Sequence, residues 1–129
     1  MGAIKSYKDL IVWQKGIELV KEIFKLTKLF PKEETYGIVS QMRRAAVSIP
    51  SNIAEGSGRR SSNEWKQFYS IAYGSTLELE TQLIISRDIG LAPSEAFSTN
   101  FKLIEEISKI IRTILHNLKN NYSKEGIQK

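Results

Sequence analysis

The sequence predicts an all-α protein, an antiparallel up-down-up-down four-helix bundle. Three observations lead there. Apolar residues recur three and four positions apart in four long stretches. Proline, glycine or a capping serine punctuates the joints between those stretches. Nothing along the chain carries the period-two alternation of a strand. Four amphipathic helices on short connections bury their stripes by packing on one another.

Residues 1–6 read as a short arm. Ser6 and Asp9 have capping-box spacing and open a first helix over 7–29. It carries two apolar stripes, Leu10, Trp13, Ile17, Val20, Phe24 and, about 100° further round, Val12, Leu19, Ile23, Leu26. That arc is wider than one neighbour covers. Phe30-Pro31 ends the helix, because a residue before proline is pushed out of the α region.

The second helix is expected over 34–55, with Glu33 and Glu34 at the positive end of its dipole. Its stripe, Ile38, Met42, Ala45, Ile49 and Ile53, keeps one phase across Pro50. Proline inside a helix costs about 3 kcal/mol and removes a hydrogen bond. The unbroken phase therefore predicts one helix kinked at Pro50. Gly56-Ser57-Gly58 supplies a stop in which glycine takes the left-handed conformation.

Ser61 and Glu64 form a second capping box, opening a third helix over 62–89. Trp65, Phe68, Ala72, Ser75, Leu79 and Leu83 make its packing seam, with Gly74 and Ser75 small enough for close helix approach. Gly90 fits the residue just past its end. Pro93 suits the first position of a fourth helix over 93–118. Phe97, Phe101, Ile104, Ile107, Ile111, Ile114 and Leu118 form its stripe, widened by Leu103, Ile110 and Leu115. Residues 119–129 lack periodicity and read as a frayed tail bearing Lys119, Lys124 and Lys129.

The 129 residues make one domain, 1–129, long enough to bury a core unaided. There is no cysteine, which excludes disulfides, thiolate metal sites and cysteine nucleophiles. No apolar run approaches the ~18 residues of a membrane span, so the expectation is a cytoplasmic protein with no membrane partner. The net charge of +5 raises affinity for polyanions such as RNA.

Little in the chain suits catalysis. Di-iron bundle enzymes need two Glu-x-x-His pairs, and this chain has one histidine, His116. No metal ligand set and no cofactor are expected. Glu78 and Glu80 lie too close along one helix to share a face. Arg112 and His116 share a face at i,i+4, a weak acid–base pair. All-helical ribonucleases space their Arg and His further apart, and a histidine near a helix C-terminus is favoured there by the dipole alone.

Arg44, Ser48, Ser51 and Glu55 step by four, three and four along the second helix and form a polar face, with Asn52 beside them. Three readings stand. The serines could bond back to helix carbonyls while Arg44 and Glu55 stay solvated. Arg43 or Arg44 could pair with Glu78 or Glu80 of a neighbouring subunit. Or Arg43, Arg44, Arg59 and Arg60, with Asn52, could bind phosphate. Thirteen helical residues would separate the two arginine pairs by some 20 Å, too far for one phosphate. Arg59 and Arg60, in a glycine-flanked connection, are the expected phosphate contacts, and Arg43 and Arg44 the expected subunit contacts.

The segments YKDLIVWQKGIEL, FPKEETYG, QMRRAAVSIPSNIAEGSGRR and FYSIAYGSTLELETQL resemble the bacterial four-helix-bundle proteins of the 23S ribosomal RNA intervening-sequence family. The resemblance runs from Tyr7 to about Leu118. It implies an up-down-up-down bundle that assembles as a homopentamer, in a family for which no enzymatic activity is established, so the expectation is a protein that is not an enzyme. A related branch, the accessory proteins of diversity-generating retroelements, binds a reverse transcriptase and nucleic acid. What the resemblance implies for this chain is an interaction protein whose partners are itself and RNA or a nucleic-acid–protein complex. A protein-only scaffold is the alternative, and an all-helical ribonuclease a remote one.

Overall fold

The computed structural model describes residues 6–128, with side chains described over 6–118. Four helices follow in order: α1 (Ile11–Thr27), α2 (Ser40–Ser57), α3 (Ser62–Asp88) and α4 (Ser98–Gln128). No strand occurs among the described residues. α1 packs on α2 and α4, and α3 packs on the same two, which closes a four-sided bundle. Contacts run in opposite order along neighbouring helices. Gly16 meets Pro50 while Thr27 meets Arg43. Met42 meets Ser86, Ser48 meets Ser75, and Gly56 meets Tyr69.

The core is built from the stripes. Leu19, Ile23, Met42, Ile49, Ile53, Leu79, Leu83, Ile104, Ile107 and Ile111 are all fully buried. Of the two stripes on α1, the one with Val12, Leu19, Ile23 and Leu26 faces this core. Trp13, Ile17 and Val20 are only half-buried, and Phe24 is exposed. α3 contributes Thr76, Gln82 and Ser86 to the interior beside its apolar residues. Two of these are accommodated by hydroxyl bonds, from Thr76 to the Ala72 carbonyl at 2.8 Å and from Ser86 to the Met42 sulfur at 3.6 Å.

The helix ends differ from the sequence expectation in instructive ways. Ser6 accepts the Lys8 N–H at 2.9 Å in a 3-10 turn over Tyr7–Asp9, and extended Leu10 separates that turn from α1. After Pro31, a 3-10 turn over Lys32–Glu34 leads into a wider π-type turn over Thr35–Val39. Gly37 leaves helical geometry inside it (φ −108°, ψ −114°), so regular helix starts at Ser40 rather than at 34. α2 then continues through Pro50 to Ser57. Gly58 caps it at φ −85°, not in the left-handed region, so glycine is there for another reason than a positive φ.

Close packing is that reason at Gly56. A Cβ there would sit 3.0 Å from Phe68 and from the Tyr69 ring. Gly16 plays the same part against Pro50, at 3.3 Å. Gly74, by contrast, has nothing within 4 Å of its Cβ position, so it is not the close-approach residue that its size suggests. Gly90 is left-handed (φ 77°), and the Leu91 N–H reaches back to the Ser86 carbonyl at 3.0 Å, closing α3 with a Schellman bond. Pro93 precedes a 3-10 turn over Ser94–Phe97, and α4 starts only at Ser98. α4 runs on to Gln128, through residues expected to be a frayed tail. Once nucleated, a helix gains a hydrogen bond for each residue it adds. Residues 1–5 and Lys129 lie outside the described residues, as do the side chains of Lys119 and Lys124.

Ser61 accepts the Glu64 N–H at 3.2 Å and caps α3. Ser61→Ala is expected to cost about 1 kcal/mol, read as a fall of a few degrees in Tm. Lys15 and Glu106 tie α1 to α4 at 2.6 Å. The hydrogen bond from Lys15 holds the Glu106 carboxyl below its ordinary value. A carboxyl depressed on folding adds stability above its unfolded pKa, and that stability is lost as pH falls through the folded pKa. The Tm difference between the parent and Glu106→Gln should therefore vanish on acidification through the carboxylate range.

Candidate nucleic-acid interface

The connection between α2 and α3 carries the arginine pair, and its two members have different surroundings. Arg59 Nη2 donates to Glu55 Oε2 at 3.0 Å, and its guanidinium lies 4.6 Å from the Phe68 ring centre. Arg60 is exposed and makes no hydrogen bond or ion pair among the described residues. Both line a cavity of about 300 Å³ with Ser57, Ser62, Trp65 and Leu118.

Trp65 is fixed from beneath. Its ring stacks on Tyr69 with centroids 5.5 Å apart and planes inclined by 22°. Tyr69 is 1% exposed, and its hydroxyl lies 3.2 Å from Ser57 Oγ. Ser57 spends its own proton on the Ile53 carbonyl at 2.8 Å, so the phenol must be the donor to Ser57. Burial pushes the Tyr69 phenol above its ordinary pKa, an effect the Ser57 contact only partly offsets. The phenol stays protonated and keeps donating.

The second arginine pair is divided as well. Arg43 Nε donates to Thr27 Oγ1 at 3.0 Å, and its guanidinium lies 4.5 Å from the Phe24 ring centre. It is committed to α1. Arg44 is exposed and lines a groove of about 340 Å³ between α2 and α3, with Gln41, Ser48, Ser75 and Glu78.

The polar face on α2 does not act as one unit. The Ser48 hydroxyl is engaged between helices rather than with a carbonyl of its own, unlike the first of the three readings. Its hydroxyl accepts from Ser75 across the helix pair at 2.9 Å and from Asn52 at 2.9 Å. Asn52 makes the back-bond instead, to the Ser48 carbonyl at 2.8 Å. Glu55 is exposed and pairs with Arg59 of the same subunit at 3.0 Å. Ser51 is exposed and lines outer grooves with Ala54.

Other sequence candidates have less to work with. Arg112 Nε turns back to the Ser108 carbonyl of its own helix at 3.4 Å, and His116 is exposed. Among the described residues no three His, Asp or Glu side chains are grouped to hold a metal ion. Nor, among the described residues, is any helix long and apolar enough to cross a membrane. Trp65, expected in the packing seam of α3, also shares a cavity with the arginines. It looks like the first position of a core seam, yet it is half-buried and lines the arginine cavity. Its place in the first turn of α3, five residues after Arg60, was the available signal.

The geometry thus defines a small helical bundle with a basic, tryptophan-lined connection at one end. The profile of the 23S rRNA-intervening sequence protein family matches residues 8–113, and the chain belongs to that family. Among solved structures it is similar to a protein of unknown function of the S23 ribosomal protein family from Bacteroides thetaiotaomicron. That likeness has 24% identity and a TM-score of 0.75, covering 81% of this chain and 98% of the other. At such identity it speaks for the fold alone. No curated protein matches the chain.

Proposed function

We propose that this protein is a non-catalytic, self-assembling bundle of the cytoplasm that binds RNA or a ribonucleoprotein through its α2–α3 connection. The observation that carries the reading is Arg60, an exposed guanidinium without a partner among the described residues, next to Arg59 on a chain of net charge +5. An arginine left uncommitted presents its full fork to a phosphate, as Arg43 cannot. Self-assembly is supported by apolar surface that one bundle leaves uncovered: Ile11 at 63%, Ile71 at 46% and Val47 at 44% exposure, with the half-buried flank of α1. Five subunits is the number that the family resemblance implies. In a ring each Arg60 is repeated about the axis, and weak contacts add through multivalency.

One observation favours protein contacts at a different place. Arg44 and Glu78 line the same groove yet form no ion pair with each other. Opposite charges left open on one groove fit reciprocal pairing between subunits. Arg44→Ala is therefore expected to loosen the assembly, read as a concentration-dependent fall in mass by light scattering.

Electrophoretic shift of a labelled RNA tests the RNA reading. The expected result is saturable binding that weakens steeply between about 50 mM and 200 mM salt. Absence of any shift at the lower salt, by a protein that still assembles, would replace the RNA reading with a protein-only scaffold.

A further inference from the structure

We propose that the cavity at the α2–α3 connection is a binding site for one unpaired base of a single-stranded nucleic acid. In it Trp65 stacks on the base and Arg60 holds the adjoining phosphate. This deepens the RNA-binding reading and rests on it. The cavity is an open cleft of about 300 Å³, at the lower end of the sizes that take small ligands.

Its lining divides into the parts such a ligand needs. Trp65 supplies an aromatic surface, already held by its stack on Tyr69, and Tyr69 is itself held by Ser57. A platform fixed before binding loses little conformational freedom when the base arrives. Leu118 of α4 adds an apolar wall. The Ser62 hydroxyl is available to a base edge, because Ser61 and not Ser62 is the cap of α3. Arg59 is held by Glu55 and Phe68, which leaves Arg60 as the uncommitted cation in the lining that Trp65 shares.

A duplex cannot use this site. Its bases are stacked on one another, and taking one out costs a few kcal/mol. Stacking on an aromatic residue tolerates any base, because each has a π-face. The site therefore selects strand state over sequence. It also separates two terms of affinity: the Arg60 contact releases counterions and follows salt, whereas stacking on Trp65 does not.

The chain has two tryptophans, Trp13 and Trp65, so Trp13→Phe leaves Trp65 as the sole reporter. In that variant, a single-stranded RNA of about 12 nucleotides should quench Trp65 fluorescence as it binds. Its blunt duplex should bind clearly more weakly. Trp65→Leu should weaken single-strand binding roughly tenfold with an unchanged salt slope, and Trp65→Phe should recover most of the loss. The proposal is overturned by unquenched Trp65 fluorescence at saturating RNA, by equal binding of strand and duplex, or by AMP quenching as well as the strand does. Should Trp65→Leu fail to fold, the quenching arm decides alone. If Arg60→Ala still flattens the salt slope while Trp65 stays silent, the phosphate reading survives and stacking is wrong. If no RNA binds at all, both fall.

Discussion

Replacing Tyr69 by alanine is expected to lower the unfolding free energy by about 3–5 kcal/mol, the range for large buried aromatic side chains. The ring is 1% exposed and packs against Gly56 of α2, where a Cβ would lie 3.0 Å from it. Gly56 has no side chain to move into the vacated space, so the hole would collapse poorly, and poor collapse sets the cost at the upper end. Trp65 would lose its support at the same time. Tyr69→Phe separates packing from the hydroxyl. It removes only the donor to Ser57, whose own bond to Ile53 remains, and should cost about 1 kcal/mol. Urea unfolding of the three proteins with unchanged m-values would read both numbers. An alanine variant no less stable than the phenylalanine one would mean that α2 and α3 do not pack as described.

The second large effect is expected in RNA binding, and it should differ among arginines of equal formal charge. Arg60→Ala should weaken binding most and lower the salt slope by about one for each subunit engaged. Arg59→Ala should do less, because Glu55 already neutralises that guanidinium at 3.0 Å. Arg43→Ala should leave binding unchanged. Its cost should appear in stability, at about 1 kcal/mol, from the lost Phe24 and Thr27 contacts. Equal losses at all three positions would point to diffuse charge rather than a site.

Periodicity made the bundle legible because four stripes of Leu, Ile, Val and Phe can be buried in few other ways. The Ser61 cap and left-handed Gly90 were legible because each is a local device within a few residues of chain. What escaped reading depends on contacts between distant segments. The commitment of Arg43 to Phe24 and Thr27 requires α1 beside α2, and nothing near Arg43 in the chain distinguishes it from Arg44. Polar core residues such as Gln82, Ser86 and Asn100 are invisible to a pattern that assigns polar side chains to solvent. The π-type turn around Gly37 has no spacing signature, so the pattern places the start of α2 at 34 and the regular helix begins at Ser40. An aromatic at seam spacing, as at Trp65, reads as packing surface. Only the fold shows that its seam opens to the surface beside Arg60.

Phosphate contacts at the proposed RNA site on the α2–α3 connection are tested most directly by the salt dependence of single-stranded RNA affinity, by fluorescence anisotropy, for the parent and the Arg59→Ala/Arg60→Ala protein at matched oligomer mass. The expected result is a steep negative log–log slope for the parent and a clearly shallower one for the double variant. Superimposable lines would contradict it.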